Sequence, residues 1–295
     1  MKDDQASSTA LSVLQGIIYV SNKPQFANLV STETANAGKK ILAATRQGQK
    51  RLKQLSNPLF VAAVPLMEKL MMPGITLHYA LRKKYIEDTV LNAINDGCTQ
   101  VLNLGAGFDT LAYRFSKQYP NINFIELDHP ATQQLKSQAL AVDNSATDNL
   151  HLISVDFTHQ TLAQVLEQAN CFYPDKPTIC IIEGVLMYLT PEQIYDLFLA
   201  ISGQIKAPTS IVFTAVEPAS ANKGSYGPLL NIYLKIKGEP LNWLCNRQDL
   251  PTFMQKTYFE IDHIANFEAF KSKYVPEHNG DMHRNEYIAL VTKRT

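Results

Sequence analysis

Between residues 100 and 185, four short apolar runs are each followed by a glycine or an acidic residue. Gly105 follows the first run, Asp128 the second, Asp156 the third and Glu183 the fourth. In open sheets of parallel strands, ligands bind beyond the carboxyl ends of the strands. Loops after core strands carry arbitrary residues, so three acids in succession indicate a binding site at this edge.

The first of these positions opens a glycine motif, Gly105-Ala106-Gly107. Glycine lets the backbone approach a ligand closely because no Cβ intervenes. The dinucleotide fingerprint G-x-G-x-x-G needs a small residue at position 110, where this chain has Thr110. The motif therefore disfavours NAD without excluding it, and a tight strand-to-helix turn is the alternative interpretation.

The next two acids suit a nucleoside. Asp128, at the end of the second run, could accept hydrogen bonds from both hydroxyls of a ribose. Asp156 could accept from an adenine amino group, while the backbone N–H of Phe157 donates to the ring. Each acid could instead cap a helix, one that starts near Ala131 and one that starts near Thr161.

The elements that must position these residues alternate between strand and helix from residue 96 onward. Apolar runs predict five strands, at 101–104, 123–127, 150–155, 178–182 and 210–216. The helical patterns between them indicate βαβ units and a parallel sheet. Two later runs, 258–265 and 287–292, would add an antiparallel pair at one edge. The sequence thus predicts an α/β fold, with a seven-stranded, mostly parallel, Rossmann-like sheet over 96–295.

Two regions lie outside this alternation. Residues 1–95 predict an N-terminal helical region, and residues 218–247 predict an insertion rich in glycine, proline and aromatic residues. Their apolar side chains must be buried somewhere, which favours a lid over the strand ends. Candidate lid residues are Phe26, Tyr226, Leu229, Tyr233 and Trp243. Packing behind the sheet, or a dimer contact, would bury the same side chains.

Composition excludes several classes of protein. The chain has 27 basic and 27 acidic residues, so it has no net field to attract nucleic acid or an anionic membrane. Its N-terminal apolar stretch, 11–20, is too short to span a bilayer. Four scattered cysteines without C-x-x-C spacing predict no metal site and no disulfide framework. We expect a cytoplasmic protein.

Four blocks of the sequence carry a family resemblance. They are HYALRKKYIE at 78–87, VLNLGAGFDTLAYR at 101–114, FIELDHP at 124–130 followed by Lys136, and EGVLMYLTP at 183–191. Together they resemble the leucine carboxyl methyltransferase family, whose members are class I methyltransferases dependent on S-adenosyl-L-methionine. The resemblance covers about residues 76–205.

The resemblance implies a binding site for S-adenosyl-L-methionine. Arg82 would pair with the methionine carboxylate and Glu183 would lie beside the methionine amino group. Ribose and adenine would be held by the residues already singled out, with the backbone approaching at the glycine motif: Gly105, Gly107, Asp128, Asp156 and Phe157. Without the resemblance, Arg82 is interpreted as a residue on the surface of a helix.

Tyr188 is the candidate catalytic residue, because an aromatic face near the sulfonium could stabilise its charge by roughly 0.5 to 2 kcal/mol. Plain packing is the alternative. The predicted function is O-methylation of a carboxylate, or a hydroxyl, on a small molecule or a peptide C-terminus. An NAD-dependent oxidoreductase and a non-catalytic nucleotide-binding protein are the alternatives. The acceptor and the oligomeric state are not predicted.

Overall fold

The computed structural model describes residues 8–141, 147–157, 159–221 and 241–294. Its strands are β1 (Gln100–Leu104), β2 (Asn123–Asp128), β3 (Leu150–Ser154), β4 (Thr178–Ile182), β5 (Thr209–Val216), β6 (Phe259–Ala265) and β7 (Glu286–Lys293). They form one sheet in the order β3-β2-β1-β4-β5-β7-β6. The first five strands are parallel, whereas β7 runs antiparallel to both β5 and β6. The predicted α/β fold and its antiparallel edge are confirmed.

Helices dominate the chain before β1, as predicted for residues 1–95. They are α1 (Ser8–Ser21), α2 (Thr32–Ala43), α3 (Arg46–Leu55), α4 (Pro58–Met71) and α5 (Ile75–Asn95), with a short 3₁₀ helix at Pro24–Phe26. Helices α2 and α3 follow one another closely along the chain. Thr45 separates them because its side chain accepts the Gly48 N–H and so caps α3.

Six more helices are described after β1. They are α6 (Leu111–Gln118), α7 (Pro130–Ala141), α8 (Leu162–Gln168), α9 (Pro191–Gln204), α10 (Leu250–Met254) and α11 (Phe267–Tyr274). α8 and α9 each begin with a capping box, formed by Thr161 with Gln164 and by Thr190 with Gln193. The capping boxes and the apolar residues that follow them together explain why these two helices begin where they do.

The N-terminal helices share a core with one face of the sheet. Ile86 and Val90 of α5 are fully buried in the same cluster as Val101 of β1 and Phe124 of β2. Burial of each such side chain contributes roughly 1.5–3 kcal/mol. Helix α5 is therefore held firmly against the sheet, and it carries Arg82 with it.

The opposite face packs against α8 and α9, and this core contains the single tryptophan. Trp243 is only 5% exposed, and its ring centroid lies 5.3 Å from that of Phe253. The backbone N–H of Trp243 donates to the Met187 carbonyl at 3.2 Å, in the turn after β4, so Trp243 lies beside the strand ends and its role in a lid stays a prediction. The other predicted lid residues of the insertion, Tyr226, Leu229 and Tyr233, lie outside the described residues. Phe26 packs edge-on against His278.

Within the described ranges, all four cysteines are free and no group of metal-binding side chains is found. No single described helix is long and apolar enough to cross a membrane. The pair α4 and α5, bent by 89° between them, passes that test only when the two are taken together, by length and composition.

Candidate functional site

The sheet brings together the residues that follow the predicted strands, beyond the carboxyl ends of β1 to β4. We call this row of positions the strand-end edge. β1 is in register with β2 and with β4, and β2 is in register with β3. Parallel strands in register end together, so Gly105, Asp128, Asp156 and Glu183 follow neighbouring strand ends. The edge runs from Asp156, beyond the outer strand β3, to Glu183, beyond the central strand β4.

The glycine motif needs its glycines. Gly105 has a positive φ of 68°, and a Cβ there would lie 2.4 Å from Cγ2 of Val185. Gly107 also has a positive φ, of 53°. A side chain at Gly105 would meet both backbone strain and a steric clash. The loop therefore has no side chain at Gly105 or Gly107, and a ligand can approach its backbone closely there.

Asp128 fixes this loop to β2. Its Oδ2 accepts the Gly107 N–H at 2.6 Å, and its Oδ1 accepts the His129 N–H at 2.7 Å. Burial raises the pKa of Asp128, although these two hydrogen bonds and the charge of Lys136 act against that shift. An ionised carboxylate has about four acceptor sites, so both oxygens can still accept from a ligand.

Arg82 lies at the centre of a buried ionic cluster and not on the surface of α5. Its Nε donates to Glu183 at 2.7 Å, and its Nη1 donates to both carboxylate oxygens of Glu286, at 3.0 and 2.9 Å. The Arg82 side chain is 7% exposed and the two carboxylates are 6% exposed. The alternative interpretation of Arg82 as a surface residue is wrong.

Three further residues complete what we call the Arg82 cluster. Lys83 donates to Glu183 at 2.7 Å and lies 3.1 Å from Asp109, and Nε2 of His78 lies 2.5 Å from Glu286. The cluster is therefore His78, Arg82, Lys83, Asp109, Glu183 and Glu286.

The charges of the Arg82 cluster hold one another ionised. Burial opposes ionisation of Glu286, yet Arg82 and His78 outweigh it and hold the pKa of Glu286 well below its usual range. Burial likewise acts against Asp109, but Lys83 and Lys136 lower its pKa to about 2. Glu286 and Glu183 raise the pKa of Arg82 despite its burial. Glu286, Asp109 and Arg82 are thus fixed charges at neutral pH.

One edge of the Arg82 guanidinium is left open. No residue in the described ranges accepts a hydrogen bond from its Nη2. That atom lies 4.0 Å from where a Cβ on Gly184 would be, and Gly184 has a positive φ of 68°. Because Gly184 has no side chain, the turn after β4 places no side-chain atom of this residue against Nη2 of Arg82.

The other end of the edge is exposed. Phe157 is 50% exposed, and Asp156 is half-buried after the outer strand β3. Thr161 caps α8 with its own capping box, so that helix does not require Asp156 as a cap. An exposed aromatic face beside a carboxylate suits a flat, polar ring such as adenine.

Tyr188 ends a 3₁₀ helix, Leu186–Tyr188, that follows the strand-end residue Glu183. The last part of the insertion holds this turn, because the Asn242 N–H donates to the Met187 carbonyl at 2.8 Å and the Asn242 side chain donates to the Tyr188 carbonyl at 2.8 Å. Tyr188 is half-buried. Its catalytic role stays a prediction.

Sequence reasoning missed His78, Lys83, Asp109 and Glu286 as members of the site. Two of them lie inside the family blocks at 78–87 and one in the block at 101–114, next to residues that were chosen. Glu286 begins β7, 204 positions after Arg82, and no local pattern marks it. Only the pairing of β7 with β5 brings it to Arg82.

Solved structures share the fold. A candidate methyltransferase from Thermobifida fusca matches with a TM-score of 0.58 and 14% identity, over 94% of this chain and 100% of that chain. Likeness at this identity shows the fold alone, which is the class I methyltransferase arrangement of sheet and helices.

Relatives are also found by sequence. A candidate S-adenosyl-L-methionine-dependent methyltransferase of Mycobacteroides abscessus is 30% identical over 167 residues, which are 56% of this chain and 52% of that relative. Leucine carboxyl methyltransferase 1 of Candida albicans is 25% identical over 240 residues, 71% of this chain and 64% of that relative. The chain thus matches between about half and two-thirds of the length of these relatives.

The family model for leucine carboxyl methyltransferase matches residues 27–202, more than half of the 295 residues. The match begins earlier than the resemblance seen at 76–205. Helices α2 to α5 therefore lie within the part of the chain that matches the family model. The resemblance drawn from the sequence blocks is confirmed. The chain belongs to the leucine carboxyl methyltransferase family.

Proposed function

We propose that this protein is a methyltransferase that uses S-adenosyl-L-methionine. One observation carries the proposal: Arg82 and Glu183 are paired in a buried site, and a free edge of the guanidinium faces Gly184. An amino-acid end, with a carboxylate beside an ammonium, has the charges that complement this pair. Membership of the leucine carboxyl methyltransferase family supports the same cofactor.

The residues of the edge fit the rest of that cofactor. The bare backbone at Gly105 and Gly107 leaves space for close approach, and Asp128 retains acceptor capacity for ribose hydroxyls. Asp156 and the exposed ring of Phe157 would hold adenine. When bound, S-adenosyl-L-methionine supplies an activated methyl group on a sulfonium, and the task left to the protein is to orient the acceptor and exclude water.

We further propose that the methyl acceptor is a carboxylate on a small molecule or on a peptide C-terminus. A carboxylate is ionised at neutral pH and needs no general base, whereas a hydroxyl does. The imidazole of the Arg82 cluster, His78, is 2% exposed and bonded to Glu286, so it is poorly placed to take a proton from an acceptor. Tyr188 would contribute by facing the sulfonium.

Calorimetric titration tests the cofactor. The protein should bind S-adenosyl-L-methionine and S-adenosylhomocysteine and should give no heat with NAD. We expect no NAD binding for two reasons. Thr110 replaces the third glycine of the dinucleotide fingerprint, and acidic residues follow β3 and β4. Heat from NAD together with none from the methyl donor would favour the oxidoreductase.

Transfer of a radiolabelled methyl group tests the reaction. The protein would be screened with small carboxylic acids and with peptides that have a free C-terminus. A carboxyl methyl ester is hydrolysed by mild alkali and releases volatile methanol, whereas a methyl ether survives the same treatment. Alkali-stable product would point to hydroxyl methylation. Cofactor binding without transfer to any member of a broad screen would favour the non-catalytic nucleotide-binding protein.

A further inference from the structure

A wholly buried ion pair lies below the strand-end edge. Nζ of Lys136, on α7, is 2.5 Å from Oε2 of Glu126, on β2, and both side chains have no exposed surface. Taking two charges out of water costs several kcal/mol per ion, and a well-packed apolar pair is often as stable. Stability alone is therefore a weak reason for this pair to exist.

The position of the pair connects it to Asp128. Glu126 precedes Asp128 by two positions on β2, and side chains two apart on a strand point to the same face. The charge of Lys136 acts on Asp128 and also on Asp109. One buried ammonium thus acts to lower the pKa of three carboxylates: Asp109, Glu126 and Asp128.

Helix α7 fixes this ammonium from the other side. Gln133, on the same helix, donates from Nε2 to the Glu126 carbonyl at 2.9 Å, which ties α7 to β2 beside the pair. Gln133 and Lys136 are 2% and 0% exposed. The ammonium cannot swing out to solvent, so its charge stays below the strand end that carries Asp128.

We propose that Lys136 is a positioning residue for the cofactor site: it keeps Asp128 ionised and ready to accept the ribose hydroxyls, while Glu126 holds its ammonium in place. This inference rests on the proposed function, because it assumes that a ribose is bound at Asp128. Lys136 is the lysine that follows the FIELDHP block; Asp128 of that block already has a role in the site, whereas Lys136 does not.

The charged groups around Asp128 define the test. They are Glu126 on its own strand, Lys136 on α7, His129 in the next position and Asp109 beyond the glycine motif. Glu126→Gln removes one titrating acid and keeps the ammonium. Adding Lys136→Met to it removes the ammonium from the same background, so the two variants differ only in that charge.

The affinity for S-adenosylhomocysteine would be measured by calorimetry at about pH 8 and about pH 5.5, with thermal unfolding of each variant alongside. Without Lys136, Asp128 should take up a proton at higher pH and lose acceptor capacity as the pH falls. The loss of affinity between the two pH values should be greater in the double variant than in Glu126→Gln, by at most about tenfold for a change of one pKa unit. A purely structural pair would change the melting temperature and leave the two pH profiles parallel.

Parallel profiles in folded variants would overturn the inference. Should Glu126→Gln not fold, the double variant would be compared with the wild type, and equal profiles would overturn it again. Absence of binding by the wild-type protein would instead contradict the proposed function, so the two failures are distinguishable.

Discussion

The two ends of the strand-end edge are built differently. At the Glu183 end, the Arg82 cluster is buried and its charges are already paired, with contacts between 2.5 and 3.1 Å. At the Asp156 end, the residues follow an outer strand in which no residue is fully buried, and Phe157 is half exposed. One end is a rigid charged receptor, and the other is an open aromatic surface.

This difference shows where binding energy and specificity would come from. Charges fixed before binding do not have to be ordered by the ligand, so they favour one arrangement of ligand charges over others. An exposed ring contributes stacking that depends little on which base is present. Under the proposed function, the Arg82 cluster would select the amino-acid end of the cofactor, and Phe157 would add affinity without much selectivity.

The largest effect is expected at the buried end. Arg82→Ala should weaken binding of S-adenosylhomocysteine by about 2–5 kcal/mol. It should also lower the free energy of unfolding by about 3–5 kcal/mol, because Glu183 and Glu286 lose their shared cation inside the core. Lys84→Ala on the same helix is the matched control, since Lys84 forms a partly exposed pair with Asp88, outside the Arg82 cluster. Titration calorimetry and chemical denaturation measure both quantities, and normal binding by folded Arg82→Ala would remove Arg82 from the site.

An intermediate effect is expected from acid. Glu286 has a pKa held below its ordinary value of 4.5, and that of Asp109 is lowered to about 2. A depressed pKa gives stability that is present above the ordinary pKa and is lost as the pH falls below it. The melting temperature should therefore fall between about pH 5 and pH 2. The Glu286→Gln variant should be less stable at neutral pH, and its melting temperature should fall less steeply with acid. A melting temperature that falls in parallel with that of the wild type would mean that Glu286 is not strongly paired.

The smallest effect is expected at the open end. Phe157→Ala should weaken binding of S-adenosylhomocysteine by about 1 kcal/mol, the lower limit for stacking of a base on an aromatic ring. Its melting temperature should stay unchanged, because half of the ring is already in solvent. Tyr258→Ala, at a ring that is 60% exposed in another part of the chain, is the control. Loss of stability without loss of affinity would assign Phe157 to packing and erase the contrast between the two ends.

The local features of this fold could be predicted from the sequence because they depend on neighbouring residues. Apolar runs bounded by turn residues gave strand limits within one residue or two of those observed, as at 178–182 for β4. Side-chain periodicity predicts the helical N-terminal region and the helices between the strands. The glycine motif, Asp128, Asp156 and Glu183 could be selected because each directly follows a predicted strand.

Contacts between distant segments could not be predicted in this way. Glu286 reaches Arg82 only because β7 inserts between β5 and β6, a choice of strand order that no local pattern specifies. The sequence indicates that Trp243 is buried but not that its ring packs against Phe253, because hydrophobicity has no direction. The sequence by itself determined the elements and which residues stand at the strand ends. Only the tertiary structure decided that Arg82 is buried and which carboxylates hold it, because a buried charge is tolerated only where the fold supplies its partners.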